Sequence, residues 1–196
     1  MDLNSGLFLG DDWVHHCETL ADSPAVKGFM AEKAVLSAIR KQGFYLPDLH
    51  VVIDSHCIFT SGKEAASLKP MANALYIPDV FNYRAIDGLV RFFPTEGNKA
   101  IVIALQISSG LRHDDSPAKF FPSCEVWERK CNGLDIEWHF CWISPTKRDV
   151  VVHGEQVKQL RKETFRVNPA YREHHISFGD IYASLSFLDI PRRSDR

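Results

Sequence analysis

The chain has 196 residues, of which 45% are hydrophobic and 24% are charged, and its formal net charge is −2. This composition is typical of a soluble globular protein, and it excludes intrinsic disorder and a strongly basic nucleic-acid-binding protein. A chain of this length is expected to form a single domain over residues 1–196, with its core between about residues 24 and 188.

The first predicted element is an amphipathic helix that begins after Ser23. Ser23 is a favourable N-cap, and Gly43 suits the position that follows the last helical turn. Glu32 lies at a core-facing position of this helix. The apolar residues of the same face are Phe29, Leu36 and Ile39.

The middle of the chain is predicted to form strands. They are expected at residues 49–53, 74–77, 85–93 and 100–107. Residues 100–107 are apolar except for Gln106, which indicates a central strand buried on both faces. Residues 60–73 are polar and mixed, and a loop is expected there.

The rest of the chain alternates between predicted helices and strands. Helices are expected over residues 116–130, with a break near Pro122, and over residues 155–166; strands are expected over residues 135–143 and 150–153. The segment up to residue 188 is predicted to be partly helical. This order of elements predicts a mixed α/β fold in which helices cover a small sheet.

Three polar residues occupy positions where the pattern requires apolar ones, namely Glu32, Asp87 and Gln106. A buried carboxylate costs several kcal/mol unless it is paired or binds a cation. Two carboxylates and an amide oxygen are ligands that suit Mg²⁺. The alternative is that Glu32 faces solvent and that Asp87 pairs with Arg84 or Arg91.

Several motifs of this region resemble a known family. They are Tyr76-Ile77-Pro78, the segment from Asn82 to Asp87, Leu105-Gln106-Ile107-Ser108 followed by His113, and a later strand that ends in Ser144-Pro145. Together they resemble the nuclease-like domain of the Crinkler effectors, which is related to the retrotransposon hot spot proteins. The resemblance covers residues 24–145.

The resemblance implies a restriction-endonuclease-like fold of the PD-(D/E)xK superfamily, with a small mixed sheet flanked by helices. The motif of that superfamily consists of a helical Glu, a strand Asp and a following (Glu/Gln)-x-Lys. Position by position, it implies that Glu32, Asp87 and Gln106 bind Mg²⁺ or Mn²⁺. The implied activity is hydrolysis of DNA phosphodiester bonds.

One motif position departs from the superfamily pattern. Ser108 stands where the motif has its lysine, so the positive charge must come from another residue or be missing. Arg91 is the candidate to replace it, and His113 is a candidate acid, base or phosphate contact. The alternative function is a catalytically inactive nuclease fold that binds nucleic acid or protein.

Partners and location follow from the same resemblance. Nucleic acid, DNA rather than RNA, is the expected partner, together with an ATPase or a host nuclear protein. No apolar stretch approaches the ~20 residues of a membrane helix, and the acidic N-terminus does not resemble a signal peptide. The expected location is the nucleus or cytoplasm, in the Crinkler case that of a host cell after secretion.

Two further patterns suggest other binding sites. The first is zinc binding, and its candidate ligands are Cys124, Cys131, His139 and Cys141. The alternative to zinc binding is that His139 and Cys141 simply pack as part of the strand predicted over residues 135–143. The second is a basic face on the predicted helix 155–166, formed by Lys158, Arg161, Lys162 and Arg166. This face is expected either to contact a phosphate backbone or to be solvated.

Overall fold

The fold is seen in a computed structural model that describes residues 24–46, 49–59, 72–80, 83–95, 97–108, 115–131, 133–145, 147–160 and 163–189. Its helices are α1 (Pro24–Gln42), α2 (Ser116–Phe120), α3 (Glu125–Glu128) and α4 (Phe178–Ile181). Its first strands are β1 (Phe44–Leu46), β2 (Leu49–Val51), β3 (Ser55–Phe59), β4 (Ala74–Pro78), β5 (Gly88–Phe92) and β6 (Lys99–Ile107). The later strands are β7 (Asp135–Ile143), β8 (Arg148–His153), β9 (Gln156–Leu160), β10 (Glu163–Asn168) and β11 (Tyr171–Ile176).

A seven-stranded mixed sheet forms the centre of the molecule, in the order β3-β4-β5-β6-β7-β11-β8. Strand β5 is antiparallel to both β4 and β6, whereas β7 is parallel to both β6 and β11. Strands β1 and β2 form a separate hairpin, and so do β9 and β10. The predicted mixed α/β fold with helices against a sheet is confirmed.

Each face of the sheet packs against helices. Helix α1 and the C-terminal helical segment bury one face, where Leu36, Ile103 and Phe178 belong to one apolar cluster. The segment containing α2 and α3 buries the other face, where Phe120 and Trp127 pack with Tyr76. None of the described helices combines the length and the apolar character that crossing a membrane requires.

Strand β6 has the position that its sequence predicts. It pairs with β5 on one side and with β7 on the other, and every residue from Ala100 to Ile107 is buried. Because β6 is central, its carboxyl end is held in place on both sides by neighbouring strands, and α1 packs against this part of the sheet.

Helix α1 ends where the sequence predicts, at a glycine. Gly43 has a φ of +87°, and its N–H donates to the carbonyl of Ile39 at 2.9 Å. A Cβ atom at this position would lie 2.6 Å from the carbonyl oxygen of Val51. Only glycine therefore fits both the left-handed backbone and the close approach of β2.

The predicted helix over residues 155–166 is wrong, because this segment forms the antiparallel pair β9–β10. The register joins Leu160 to Glu163 and Val157 to Arg166. Apolar residues three apart fit a helix, but the segment also contains β-branched residues and a short connection that favour a hairpin. Lys158 and Arg166 consequently share no helix face, and the other two basic residues of the predicted face lie outside the described residues.

Other differences concern short strands. Strands β1 and β3 were not predicted, and β11 occupies part of a segment that was expected to be partly helical. The helical part of that expectation is met by α4 and by the 3₁₀ segment Ala183–Asp189. The break predicted near Pro122 is confirmed, since a 3₁₀ segment, Phe121–Ser123, separates α2 from α3.

Candidate active site

Three strand ends meet at the predicted site. Since β5 is antiparallel to β4 and to β6, its amino end lies beside the carboxyl ends of both neighbours. Asp79 directly follows β4, Asp87 directly precedes β5, and Gln106 is the penultimate residue of β6. The topology thus brings side chains from distant parts of the sequence to one edge of the sheet.

A tight bend positions Asp87. The 3₁₀ turn Tyr83–Ala85 precedes it, and Ala85 has a φ of +59°, which costs an L-residue about 1 kcal/mol. After the bend, the Asp87 N–H donates to the Leu105 carbonyl at 2.8 Å. This backbone hydrogen bond to β6 helps to offset the strain at Ala85.

Strand β6 also holds the carboxylate of Asp87. Its Oδ2 atom accepts hydrogen bonds from the backbone N–H of Ile107 at 2.6 Å and from Nε2 of Gln106 at 2.8 Å. Neither bond uses Oδ1. Asp87 is therefore fixed in orientation through one oxygen, and the other oxygen is not committed to these bonds.

The environment makes Asp87 a weak acid. Burial is the largest cause and raises the pKa of its carboxyl to about 7, from 3.8. The negative charge of Glu32 also raises it, while the hydrogen bond from Ile107 and the charge of Lys33 act in the opposite direction. A raised pKa in a cleft is a common mark of a functional carboxylate, because a bound cation or substrate changes its protonation.

Helix α1 contributes the opposite wall of a pocket above Asp87. The pocket has a volume of about 90 Å³. Glu32 lines it with a side chain only 14% exposed, and Lys33 binds Oε1 of Glu32 at 2.9 Å. The lining residues are Phe29, Glu32, Lys33, Pro78, Asp79, Val80, Ile86 and Asp87.

Gln106 supports Asp87 from inside the sheet and is not part of the pocket wall. Its side chain is buried, at 6% exposure, and its Nε2 atom donates to Asp87. The Oε1 atom of Gln106 is buried and has no hydrogen-bond partner among the described residues. A buried acceptor without a partner costs about 1–3 kcal/mol, which a water or a cation at this position would relieve.

Glu32 and Asp87 are carboxylates that line one pocket, which is the type of donor that Mg²⁺ and Mn²⁺ take. Within the described ranges, no group of three or more His, Cys, Asp or Glu side chains is arranged to hold a metal ion. Mg²⁺ is usually bound by one or two carboxylates, with water and substrate oxygens completing its shell. Glu32 and Asp87 supply such a pair, and Gln106 Oε1 is an uncommitted oxygen beside it.

Of the other predicted site residues that the structure describes, Arg91 and Ser108 do not line this pocket. The Arg91 guanidinium lies over the rings of Tyr76 and Phe93 and bonds to the Ala72 carbonyl, near the far end of β5. His113 lies outside the described residues. Ser108 follows β6, and its N–H donates to the Ile143 carbonyl at 2.9 Å.

Two pocket residues, Lys33 and Asp79, were missed by the sequence analysis. Lys33 is adjacent to Glu32 on α1, and its Nζ lies 5.1 Å from the centroid of the Phe29 ring. Asp79 follows the strand that precedes Asp87 in the chain. The signal for Asp79 was available, because consecutive antiparallel strands place the residue after one beside the residue before the next.

The zinc hypothesis is wrong for the described residues. Cys124 and Cys131 belong to the apolar cluster on one face of the sheet, whereas Cys141 belongs to the cluster on the other. His139 binds His174 instead, with Nδ1 2.9 Å from Nε2 of its partner. The alternative of a packed strand accounts for His139 and Cys141, which both lie on β7 and are buried.

Comparisons of the chain with protein-family models, with curated proteins and with solved structures find no match. Functional inference therefore depends on the geometry of the chain itself.

Proposed function

We propose that the chain is a metal-dependent nuclease that hydrolyses phosphodiester bonds of DNA at the pocket between α1 and the amino end of β5. The observation that carries this proposal is the convergence of Glu32 and Asp87 on one pocket. Beside Asp87 lies the buried Oε1 of Gln106, which has no hydrogen-bond partner in the part of the chain that the structure describes. A helical Glu, a strand Asp and a Gln on the next strand are also what the resemblance to the restriction-endonuclease-like superfamily implies.

Each of these residues has a distinct task in the proposed reaction. Glu32 and Asp87 would hold Mg²⁺ or Mn²⁺, which when bound polarises a phosphate and lowers the pKa of a water molecule. Gln106 and the Ile107 N–H fix the Asp87 carboxylate, so that little reorganisation is needed on binding. In the net reaction, the oxygen of water bonds to phosphorus, the phosphorus–oxygen bond to the leaving sugar breaks, and one proton of the water ends on the sugar oxygen.

We assign to Lys33 the positive charge that the motif lysine would otherwise supply. Lys33 is the basic residue among the described residues that line the pocket, and its positive charge favours the ionised form of the Asp87 carboxyl, although burial outweighs it and keeps the pKa raised. Ser108 is uncharged and cannot fill this role. Lys33 can move from Glu32 to an oxygen of a bound phosphate because its side chain is 38% exposed.

The size of the pocket limits how a substrate can bind. About 90 Å³ accommodates an ion with a few water molecules but not a whole nucleotide. A nucleic acid would therefore present one phosphate to the pocket while its bases stay outside. Such binding favours backbone recognition over base recognition.

Cleavage assays with paired carboxamide variants test the proposal. Supercoiled plasmid, single-stranded DNA and RNA are incubated with wild type, Asp87→Asn and the matched control Asp135→Asn, which alters an exposed aspartate at the start of β7. We expect DNA cleavage with Mg²⁺ or Mn²⁺, none with EDTA, and a loss of about 10²-fold or more in Asp87→Asn only. Equal cleavage by both variants would contradict the proposal.

The role of Lys33 is tested separately with Lys33→Met. The matched control is Lys41→Met, an exposed lysine in the last turn of the same helix. Lys33→Met is expected to slow cleavage about 10²-fold without weakening Mn²⁺ binding, since one electrostatic donor is lost and the carboxylates remain. Unchanged cleavage in Lys33→Met would refute this assignment while leaving the nuclease proposal intact.

A second candidate function is a catalytically inactive nuclease fold that binds nucleic acid or a protein partner. The absence of lysine at Ser108 favours it. It predicts that wild type binds DNA in a fluorescence-anisotropy titration and does not cleave it with either metal ion.

A further inference from the structure

Strand β8 is an edge strand of the seven-stranded sheet. It pairs with β11 on one side, and within the described part of the chain no strand pairs with its other side. Three consecutive valines on it are exposed: Val150 by 51%, Val151 by 46% and Val152 by 74%. Edge strands are usually protected by charges, proline or bulges, and the first half of β8 has a register shift against β11 and the charged Arg148 and Asp149. The three valines that follow have no such protection of their own, and an exposed apolar stretch of this kind indicates a pairing surface.

The residues on either side of Val151 are complementary to each other when the strand is reversed. If two copies of β8 pair antiparallel with Val151 opposite itself, Val150 lies opposite Val152. In the same register, Asp149 lies opposite His153 and Arg148 lies opposite Gly154. If the pairing continues past the ends of β8, Lys147 lies opposite Glu155. Each acidic residue thus meets a basic or protonatable one, and apolar residues meet apolar ones.

We propose that β8 pairs with β8 of a second copy of this chain around a two-fold axis at Val151, joining two seven-stranded sheets into one. Charge complementarity favours a second copy as the occupant, because both acidic residues of the segment 147–155 then face a basic or protonatable residue and no like charges meet. A two-fold pairing of this kind is closed, so it yields a dimer and not a fibre. The backbone groups on the outer side of β8 gain hydrogen bonds, as in other cases of strand addition.

Opposite charges placed at the axis test this register directly. Val151→Lys puts two lysines opposite each other, and Val151→Glu puts two glutamates opposite each other. Sedimentation equilibrium of the 196-residue chain, from about 1 to about 200 µM, should give a monomer–dimer equilibrium for wild type. For each variant alone, the dissociation constant of the dimer should rise about tenfold. An equimolar mixture of the two variants should form dimers as readily as wild type.

The control is Val157→Lys, which alters another exposed valine, on β9. It should dimerise as wild type does. The mixture also shows that each variant folds, since misfolded chains would not pair. A wild type that stays monomeric, larger oligomers that grow with concentration, dimers unaffected by Val151→Lys, or a mixture that stays monomeric would each overturn the proposal.

The ends of the paired strands provide a second test. Lys147→Glu and Glu155→Lys should each weaken the dimer, because each places like charges across the interface. The double variant exchanges the charges and should restore dimer stability. Lys147 also contacts Asp180 within its own chain at 3.1 Å, so the double variant, not the single one, decides the register. Failure of the double variant to recover dimers would overturn the register.

Discussion

Replacing Asp87 with asparagine is expected to stabilise the metal-free protein at alkaline pH and to leave its stability nearly unchanged at acidic pH. Folding raises the pKa of the Asp87 carboxyl from 3.8 to about 7. Between these values the folded protein binds a proton that the unfolded chain does not. The stability that this proton contributes is therefore present below about pH 4 and is lost as the pH rises to about 7.

The magnitude follows from the same two pKa values. One proton changes the free energy of unfolding by about 1.4 kcal/mol per pH unit, so the upper limit over this interval is about 4 kcal/mol. Asp87 borders an open pocket, and water there screens its charge, so we expect about 2 kcal/mol. The carboxamide of the Asp87→Asn variant would not ionise, and its oxygen can still accept the bonds from Ile107 and Gln106.

Urea denaturation at about pH 4 and about pH 8, with EDTA present, measures this effect. Asp87→Asn should match wild type at the lower pH and exceed it by about 2 kcal/mol at the higher pH, while the exposed control Asp135→Asn follows wild type at both. A difference that does not change with pH would refute the argument. So would an Asp87→Asn protein that is less stable than wild type at the higher pH.

Three further substitutions test other parts of the structure. Gly43→Ala should lower the free energy of unfolding by about 2 kcal/mol or more, because its Cβ would lie 2.6 Å from the Val51 carbonyl oxygen; a thermal melt unchanged from wild type would contradict this. Gly88→Val should cost about 1–3 kcal/mol and reduce cleavage, because a Cβ there would lie 2.9 Å from Cδ2 of Leu36 on α1 and two further methyl groups would have to fit into the same packed contact; retention of full activity would count against it. Ser108→Lys, introduced into Lys33→Met, should restore cleavage at least tenfold in the plasmid assay, and no gain would argue against a missing charge as the defect.

Elements defined by local signals could be predicted from the sequence. Strand β6 is recognisable because eight of its nine residues are buried and its sequence is almost wholly apolar. Helix α1 is recognisable from its spacing and from Gly43. The hairpin β9–β10 could not be recognised from the sequence, because the spacing of Val157 and Leu160 fits a helix as well as a strand. Pairing with β10, which begins three residues after Leu160, decides between them, and the spacing of apolar residues alone does not reveal that pairing.

The candidate site was predicted in part for a related reason. Glu32, Asp87 and Gln106 stood out because each interrupts an apolar pattern. Arg91 was expected to assist Asp87 because strand alternation puts both on one face. Alternation shows which face a side chain is on but not how far apart two side chains lie. Four residues along a strand span about 13 Å, so Arg91 lies too far from Asp87 and packs against Tyr76.

Calorimetric titration with Mn²⁺ at about pH 7, in two buffers of different ionisation enthalpy, tests the central claim most directly. We predict one ion per chain and release of about half a proton, because the pKa of Asp87 is about 7 and the ion binds its ionised form. Asp87→Asn and Glu32→Gln should abolish binding, whereas Asp135→Asn should not. Absence of binding to wild type, or binding that survives both Asp87→Asn and Glu32→Gln, would contradict the assignment of this pocket as a metal-dependent active site.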